Sequence, residues 1–357
     1  MQTQQIKKMS VAELNELASK IRERILDVVS RNGGHLSSTL GATDLIVAMH
    51  YVFDARKDPF IFDVSHQSYA HKLLTNRWEA FESLRTFGGL SGYTKPSESE
   101  ADYYVAGHSS TSVSLAVGAA KAIRLRGEEG ERIPVVLIGD GAMSAGMVYE
   151  ALNELGDRKY PAVIILNDNE MSIAKPIGAI SRILSQAMAS PFYQKFKEKT
   201  EQMLEHFPES ARYMAKRMEE GIRMITPGIL FEEMGLEYIG PVDGHDIAQL
   251  IETLKTARSM GKPVIVHAQT TKGKGYTIAE GYYEHWHGVG PFDKASGKSL
   301  KKSDRPSATK VFSDALCRLA EEDGKIVGVT AAMPSGTGIK QLMEQFPERF
   351  WDVGIAE

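Results

Sequence analysis

Two short polar triplets, Gly139-Asp140-Gly141 and Asn167-Asp168-Asn169, each close an apolar run, and they constrain the fold more than any other feature of the chain. The runs are Ile133–Ile138 and Ala162–Leu166. Rich in β-branched residues and free of charge, both read as short buried parallel strands. The residues between them, Met147 to Leu155, have helical spacing, so the unit is strand, turn, helix, strand. Such a crossover brings both triplets to the carboxyl ends of parallel strands, where open α/β sheets bind ligands. Asp140 offers a charged oxygen, Asn169 a neutral one and the backbone near Met171 a carbonyl. Two phosphate oxygens and a water complete the octahedron that Mg²⁺ demands, so the pair points to Mg²⁺ carrying a diphosphate. The alternative is that Asn167 and Asp168 only make a turn.

The rest of the chain repeats this alternation. Ser10 and Glu13 form a capping box that opens a helix over Val11–Val29, and Gly33 stops it. Further helices are expected over Thr43–Phe53, Ser65–Thr75, Asp246–Ala257 and Lys310–Glu321, and Gly107–Ser112 opens one that runs to about Arg126. Strands are expected at Phe60–Val64, Leu236–Ile239, Pro263–Ala268, Ile326–Thr330 and Trp351–Ala356, and Leu84–Ala101 reads as a loop. The fold class is therefore α/β, a doubly wound parallel sheet with helices on both faces, followed by the start of a second α/β domain. Residues 1–290 form the diphosphate- and metal-binding domain, with a charged, Met-rich helical excursion at 175–226. Residues 291–308 are a linker, and 309–357 begin the second domain. A domain that ends on a buried-looking strand leaves an unpaired edge, so the chain reads as part of a longer one.

Composition excludes several classes. A net charge of −4 gives no reason to expect nucleic acid or an anionic membrane as partner. No apolar run approaches the roughly 20 residues of a membrane span, and Met1–Ser10 lacks an apolar signal core. The one cysteine, Cys317, excludes an intrachain disulfide, fits a reducing cytosol and reads as an inert buried thiol.

Gly107 to Ser112 places backbone N–H groups and hydroxyls at a helix start, a ready anion site, or else an ordinary Ser/Thr cap. His35, His66, His108, His245 and His287 all sit in Gly/Ser-rich loops, which suggests one cavity lined with proton carriers. His71 reads as a helix-surface residue and His50 as a helix packing residue. Lys272 to Tyr276 follows a strand, and either holds an anion or is a solvated basic turn.

Together these segments resemble the 1-deoxy-D-xylulose-5-phosphate synthase family, thiamin-diphosphate enzymes of the transketolase group. The resemblance is carried by Gly34-His35, Asp63–Gln67 with His71-Lys72, Gly107–Ser112, Gly139–Met147 and Asn167–Ser172. It continues through Gly240–Asp246, Lys272–Tyr276, His287 with Phe292-Asp293, and Asp352–Glu357. The metal motif is common to thiamin enzymes, whereas Tyr238–Asp246 and Gly107–Ser112 are more specific to this synthase. Transketolase itself fits less well.

The resemblance implies a two-carbon transfer: pyruvate loses CO₂, and the remaining unit joins D-glyceraldehyde 3-phosphate to give 1-deoxy-D-xylulose 5-phosphate, a precursor of isoprenoids, thiamin and pyridoxal. It implies that Asp140, Asn169 and Met171 hold Mg²⁺. It assigns the cofactor to His66, Gly107, His108, Ser109, Gly141, Ala142, Asn169, Tyr276 and Glu357. Proton handling falls to His35, His66 and His287, and Glu357 activates the aminopyrimidine ring. A cytoplasmic homodimer is implied as well. The sequence departs from the family at Ser65, where a smaller residue is usual and the hydroxymethyl is expected to crowd the cofactor side. It also stops at Glu357, so that the residues binding the aldehyde's phosphate are absent and the glutamate lacks a following segment to hold it. A transketolase-like enzyme and a non-catalytic Mg²⁺-diphosphate-binding module are the competing readings.

Overall fold

The computed structural model describes residues 3–169, 228–280, 285–300 and 305–356. The expected excursion at 175–226, Met171 and Glu357 lie outside the described residues.

The capping box forms as expected: Ser10 accepts the Glu13 N–H and Glu13 returns a bond to the Ser10 backbone. Helix α1 runs over Val11–Asn32 and stops at Gly33, whose φ of 78° suits a residue without a Cβ. Helix α2 spans Ser37–Val52, starting six residues before the expected Thr43. The polar Ser37, Ser38 and Thr39 disguise its first turn, but all three are buried. Packing, rather than propensity, sets this start. Strand β1 is Phe60–Phe62, shorter than expected because Val64 and Ser65 are left-handed, with φ of 57° and 65°. For the same reason helix α3, Tyr69–Leu74, begins four residues later than expected.

Then come α4 (Ser112–Leu125), β2 (Val135–Gly139), α5 (Gly146–Arg158) and β3 (Ala162–Asp168). After residue 227 follow β4 (Glu237–Asp243), α6 (Ile247–Ser259) and β5 (Pro263–Gln269). The five strands pair in the order β1-β2-β3-β5-β4, all parallel.

Alternation along the strands divides the core in two. Val135, Leu137, Val163, Ile165, Val264 and Val266 face the layer that contains α1, α2 and α6. Val136, Ile138, Ala162, Ile164, Leu166 and Ile265 face α4 and α5. A period of two on a parallel sheet buried on both sides accounts for the uninterrupted apolar runs. Each fully buried Val, Ile or Leu contributes about 1.5–3 kcal/mol relative to exposure. Strand order runs outward through β3 and then returns from β4 to β5, while the covering helices change face. The carboxyl ends of β3 and β5 therefore meet at a topological switch point.

A smaller unit follows: α7 (Ala308–Glu322), β6 (Gly328–Thr330), α8 (Lys340–Gln345) and β7 (Phe350–Asp352), with β6 and β7 parallel. Cys317 is buried here, and burial raises its thiol pKa, consistent with an inert role. Among the described residues no helix is long and apolar enough to cross a membrane.

Candidate active site

A cavity of about 480 Å³ opens at the carboxyl ends of β1, β2 and β3. Asp63, Val64, His66 and Gln67 follow β1; Gly139 to Ala142 form the turn after β2; Asn167 and Asn169 close β3; Lys272 follows β5. Gly107 and Ser109 enter from the loop before α4, and His35 and His287 from a further side. Ala331, Ala332, Met333, Ile355 and Ala356 of the smaller unit complete the wall.

Three of the five singled-out histidines converge. The His35 ring centroid lies 5.2 Å from that of His66 and 5.5 Å from that of His287, and the latter two are 5.1 Å apart. A short antiparallel pair, Gly34–His35 with Gly288–Val289, brings His287 beside His35 across the chain. Leu36 and Ser37 reinforce it by donating N–H to the His287 and Trp286 carbonyls. The Tyr69 hydroxyl accepts the His35 N–H at 3.3 Å, and Thr39 donates to the His66 carbonyl at 3.1 Å. Burial, with His287 and Arg85 adding repulsion, lowers His35 to about 3. Burial and the Lys272 charge lower His287 to about 4. His66 is pushed well down by burial, His287, His35 and Lys272. All three rings are neutral at pH 7, and each has a buried Nδ1 without a hydrogen-bond partner.

The other two histidines go elsewhere. His108 is exposed and is not part of the cavity wall. His245 is bonded to Asp44 and to the Thr271 backbone, outside the wall. His71, read as a helix-surface residue, is instead fully buried between His50 and Asp102, at 3.0 Å from each. The loop residues Glu98 and Asp102 that pair with Lys72, His71 and Arg77 draw this face of α3 into the core.

At the start of α4, where an anion site or a Ser/Thr cap is expected, an internal carboxylate accepts from Ser110 and Ser112, while Gly107 and Ser109 line the cavity. Asp63 accepts the N–H groups of Ser110 and Ser112 at 2.9 and 3.2 Å and the Ser112 hydroxyl at 2.6 Å. An internal carboxylate thus takes the helix N-terminus. Ser110 also donates its hydroxyl to the Ala142 carbonyl at 2.9 Å, which ties this loop to the Gly139–Ala142 turn. Asp63 entered the sequence reading only as part of a motif. Ser65 is buried, accepts the Thr94 N–H through its hydroxyl at 3.2 Å and does not line the cavity, contrary to the expected crowding. Tyr276 also stays out of the wall: its hydroxyl donates to the Lys294 carbonyl at 2.9 Å and its ring packs on Trp286 and Phe292.

A family model described as 1-deoxy-D-xylulose-5-phosphate synthase matches residues 1–270. The chain belongs to the 1-deoxy-D-xylulose-5-phosphate synthase family. The synthase of that name from a Nitratiruptor species is 74% identical over 352 residues, 99% of this chain and 58% of the relative. That from Sulfurimonas denitrificans is 70% identical over the same shares. The chain thus spans about 58% of the length of the curated synthases it matches. Among solved structures, transketolase from Campylobacter jejuni superposes with a TM-score of 0.58 at 20% identity, over 97% of this chain and 62% of that one. Transketolase from Leishmania mexicana gives 0.56 at 15%, over 97% and 61%. The synthase family shares this fold, and its members are transketolase-type transferases that use thiamin diphosphate and a divalent metal such as Mg²⁺.

The residues present in this synthase-family chain fit that pair of groups. Asn169 keeps a buried Oδ1 without a hydrogen-bond partner. The Asp140 carboxyl is pushed up to about 6 by desolvation and by the Asp168 charge, against the pull of Lys272. A cation offsets both the cost of burying the carboxylate and the repulsion from Asp168. Asn167 and Asp168 are the last two residues of β3 rather than a free turn. The Asn167 Oδ1 accepts the Thr270 hydroxyl at 2.6 Å, and Asp168 pairs with His267 at 2.9 Å. Among the described residues no three His, Cys, Asp or Glu side chains cluster to hold a metal by themselves. A set of one carboxylate, one amide and a carbonyl depends on phosphate oxygens to complete the shell.

Proposed function

We propose that this chain carries the metal- and diphosphate-holding part of a synthase that joins the two-carbon unit of pyruvate to D-glyceraldehyde 3-phosphate. The products are CO₂ and 1-deoxy-D-xylulose 5-phosphate. One observation carries the reading: Asp140, Asn169 and three neutral histidines share a single cavity at the switch point of the sheet. Asp140 and Asn169 hold Mg²⁺, with Met171 as the backbone ligand. The Gly139–Ala142 turn, Gly107 and Ser109 border the diphosphate. Thiamin diphosphate, when bound, supplies the nucleophilic carbon and the electron sink for decarboxylation.

The histidines do the chain's own part. A neutral imidazole in a buried wall can accept a proton at Nδ1 or Nε2, or donate one, without a standing charge that binds water. His35 and His287 face the substrate side and move protons to and from its oxygens, while His66 orients the cofactor. Glu357, the next residue in the sequence after the wall residue Ala356, acts on the aminopyrimidine. Residues 1–290 are the cofactor domain, 291–308 the linker and 309–357 the opening of the pyrimidine-binding domain. A cytoplasmic homodimer is the working assembly.

The test is a calorimetric titration of the chain with thiamin diphosphate, with and without Mg²⁺, followed by CO₂ release from pyruvate. Mg²⁺-dependent binding with release that requires the aldehyde phosphate supports the proposal. Release without the aldehyde points to a plain pyruvate decarboxylation. Binding without turnover marks a non-catalytic module, and no binding removes the site.

A further inference from the structure

The segment Tyr238–Asp246 is among the most distinctive in the sequence, yet none of it reaches the cavity wall. Its His245 makes two well-directed bonds instead. Nε2 lies 2.8 Å from the Thr271 amide nitrogen, which can only donate, so Nε2 accepts and the ring proton resides on Nδ1. Nδ1–H donates to Asp44 on α2 at 2.7 Å, across 201 residues of chain. Asp44 is buried and also takes a bond from Arg22. Burial alone pushes its carboxyl up, but the bonds from His245 and Arg22 outweigh this and hold it below its ordinary range. It therefore stays an acceptor and admits one tautomer of His245.

What the histidine grips is the strand exit that carries Lys272. Thr270 is pinned through its N–H to the Asp168 carbonyl at 2.7 Å and through its hydroxyl to Asn167 at 2.6 Å. Gly273 donates to the Ser37 carbonyl at 2.8 Å. Gly41 of α2 lies flat against the Thr271 carbonyl, where an added Cβ would come within 2.9 Å. Between these anchors the Lys272 side chain, 6% exposed, enters the cavity. Its charge acts on Asp140, His66 and His287 at once.

We infer that His245 is a positioning residue: oriented by Asp44, it holds the Thr271 amide and so fixes Lys272 in the cavity wall. It touches no reacting atom. As a statement about the reaction this rests on the cavity being the synthase site, but the geometry is testable without cofactor or turnover.

The test is an NMR titration of the His287 imidazole in the 357-residue chain. His287 is faced by Lys272, His35 and His66, and burial together with the Lys272 charge lowers it to about 4. In His245→Ala, Lys272 moves off its mark and His287 is expected to titrate about one unit higher. His245→Gln, whose longer amide can still accept the Thr271 N–H, is expected to restore the parent value. His245→Asn keeps a donor for Asp44 but falls short of Thr271, and should behave like the alanine variant. It also serves where His245→Ala does not fold. A His287 titration unmoved in both folded variants overturns the inference, as does a Gln variant that shifts as far as Asn. Cofactor binding is read separately, so failure of that reading leaves this result standing.

Discussion

Asp63 accepts a 2.6 Å hydrogen bond from the Ser112 hydroxyl and a second, at 3.2 Å, from the Ser112 backbone. With the Ser110 N–H added, one carboxylate closes the N-terminus of α4 and sets the loop that precedes it. Around it, Val64, Ser65 and Ser110 all hold φ values between 57° and 68°, which side chains rarely adopt. Strain of this kind persists only where the surroundings over-determine it. Asp63→Ala is expected to cost about 3 kcal/mol of stability, since three donors lose a charged acceptor. Asp63→Asn, which keeps one acceptor oxygen, should cost about half of that. Urea unfolding measures both, and an unchanged midpoint in Asp63→Ala would rule out the clamp.

The raised Asp140 carboxyl makes a signed prediction. The folded chain keeps this proton to about 6, whereas an unperturbed aspartate loses it near 3.8. Between those values the folded state binds more protons, so this group's contribution to stability falls as pH rises through the window. A cation at Asp140 removes the penalty. The gain in Tm on adding Mg²⁺ with thiamin diphosphate should therefore be larger at about pH 7.5 than at about pH 5. Asp140→Asn is expected to abolish the Mg²⁺-dependent gain. Thermal melts across that range provide the check, and an undiminished gain in Asp140→Asn would show that the metal lies elsewhere.

The histidine cluster acts with the opposite sign. His35 and His287 stay neutral in the fold down to about 3 and about 4, while the unfolded chain protonates them below 6.5. Their contribution is fully present above 6.5 and is lost as pH falls toward their folded values. His35→Asn and His287→Asn should each flatten the acid side of the stability profile. A plot of unfolding free energy against pH reads this directly, and a profile as steep as the parent's would contradict the buried, neutral assignment.

Arg77 grips Asp102 through two nitrogens at 2.7 and 2.8 Å, and His71 bonds the same carboxylate at 3.0 Å. Burial pushes the Asp102 carboxyl up, but these partners hold it well below the usual carboxylate range. Asp102→Ala leaves a buried guanidinium without its counter-charge and is expected to cost about 3 to 5 kcal/mol. Chemical denaturation at neutral pH measures it. A loss under about 1 kcal/mol would mean that the network is solvated in solution.

Much of this was legible in local pattern. The apolar runs at Ile133–Ile138 and Ala162–Leu166 became β2 and β3, because five strands buried on both faces require uninterrupted hydrophobicity. The capping box at Ser10 and Glu13 is a contact three residues long, and it formed as written. The Gly-Asp-Gly and Asn-Asp-Asn ends reached one cavity because a single crossover joins them. The misreadings share a cause. The start of α2, the burial of His71 and the departure of His245 from the cavity each depend on partners far away in the chain: Trp286, Asp102 and Asp44.

The sequence by itself determined the doubly wound α/β class, the strand-end location of Asp140 and Asn169, and the family to which the chain belongs. These rest on periodicity and on short-range chemistry, both written along the chain. Only the tertiary structure decided which histidines meet, that Asp63 caps the start of α4, and that His245 bonds Asp44 and Thr271. Those outcomes are set by contacts across tens to hundreds of residues, where burial and hydrogen-bond completion override what each residue would do alone.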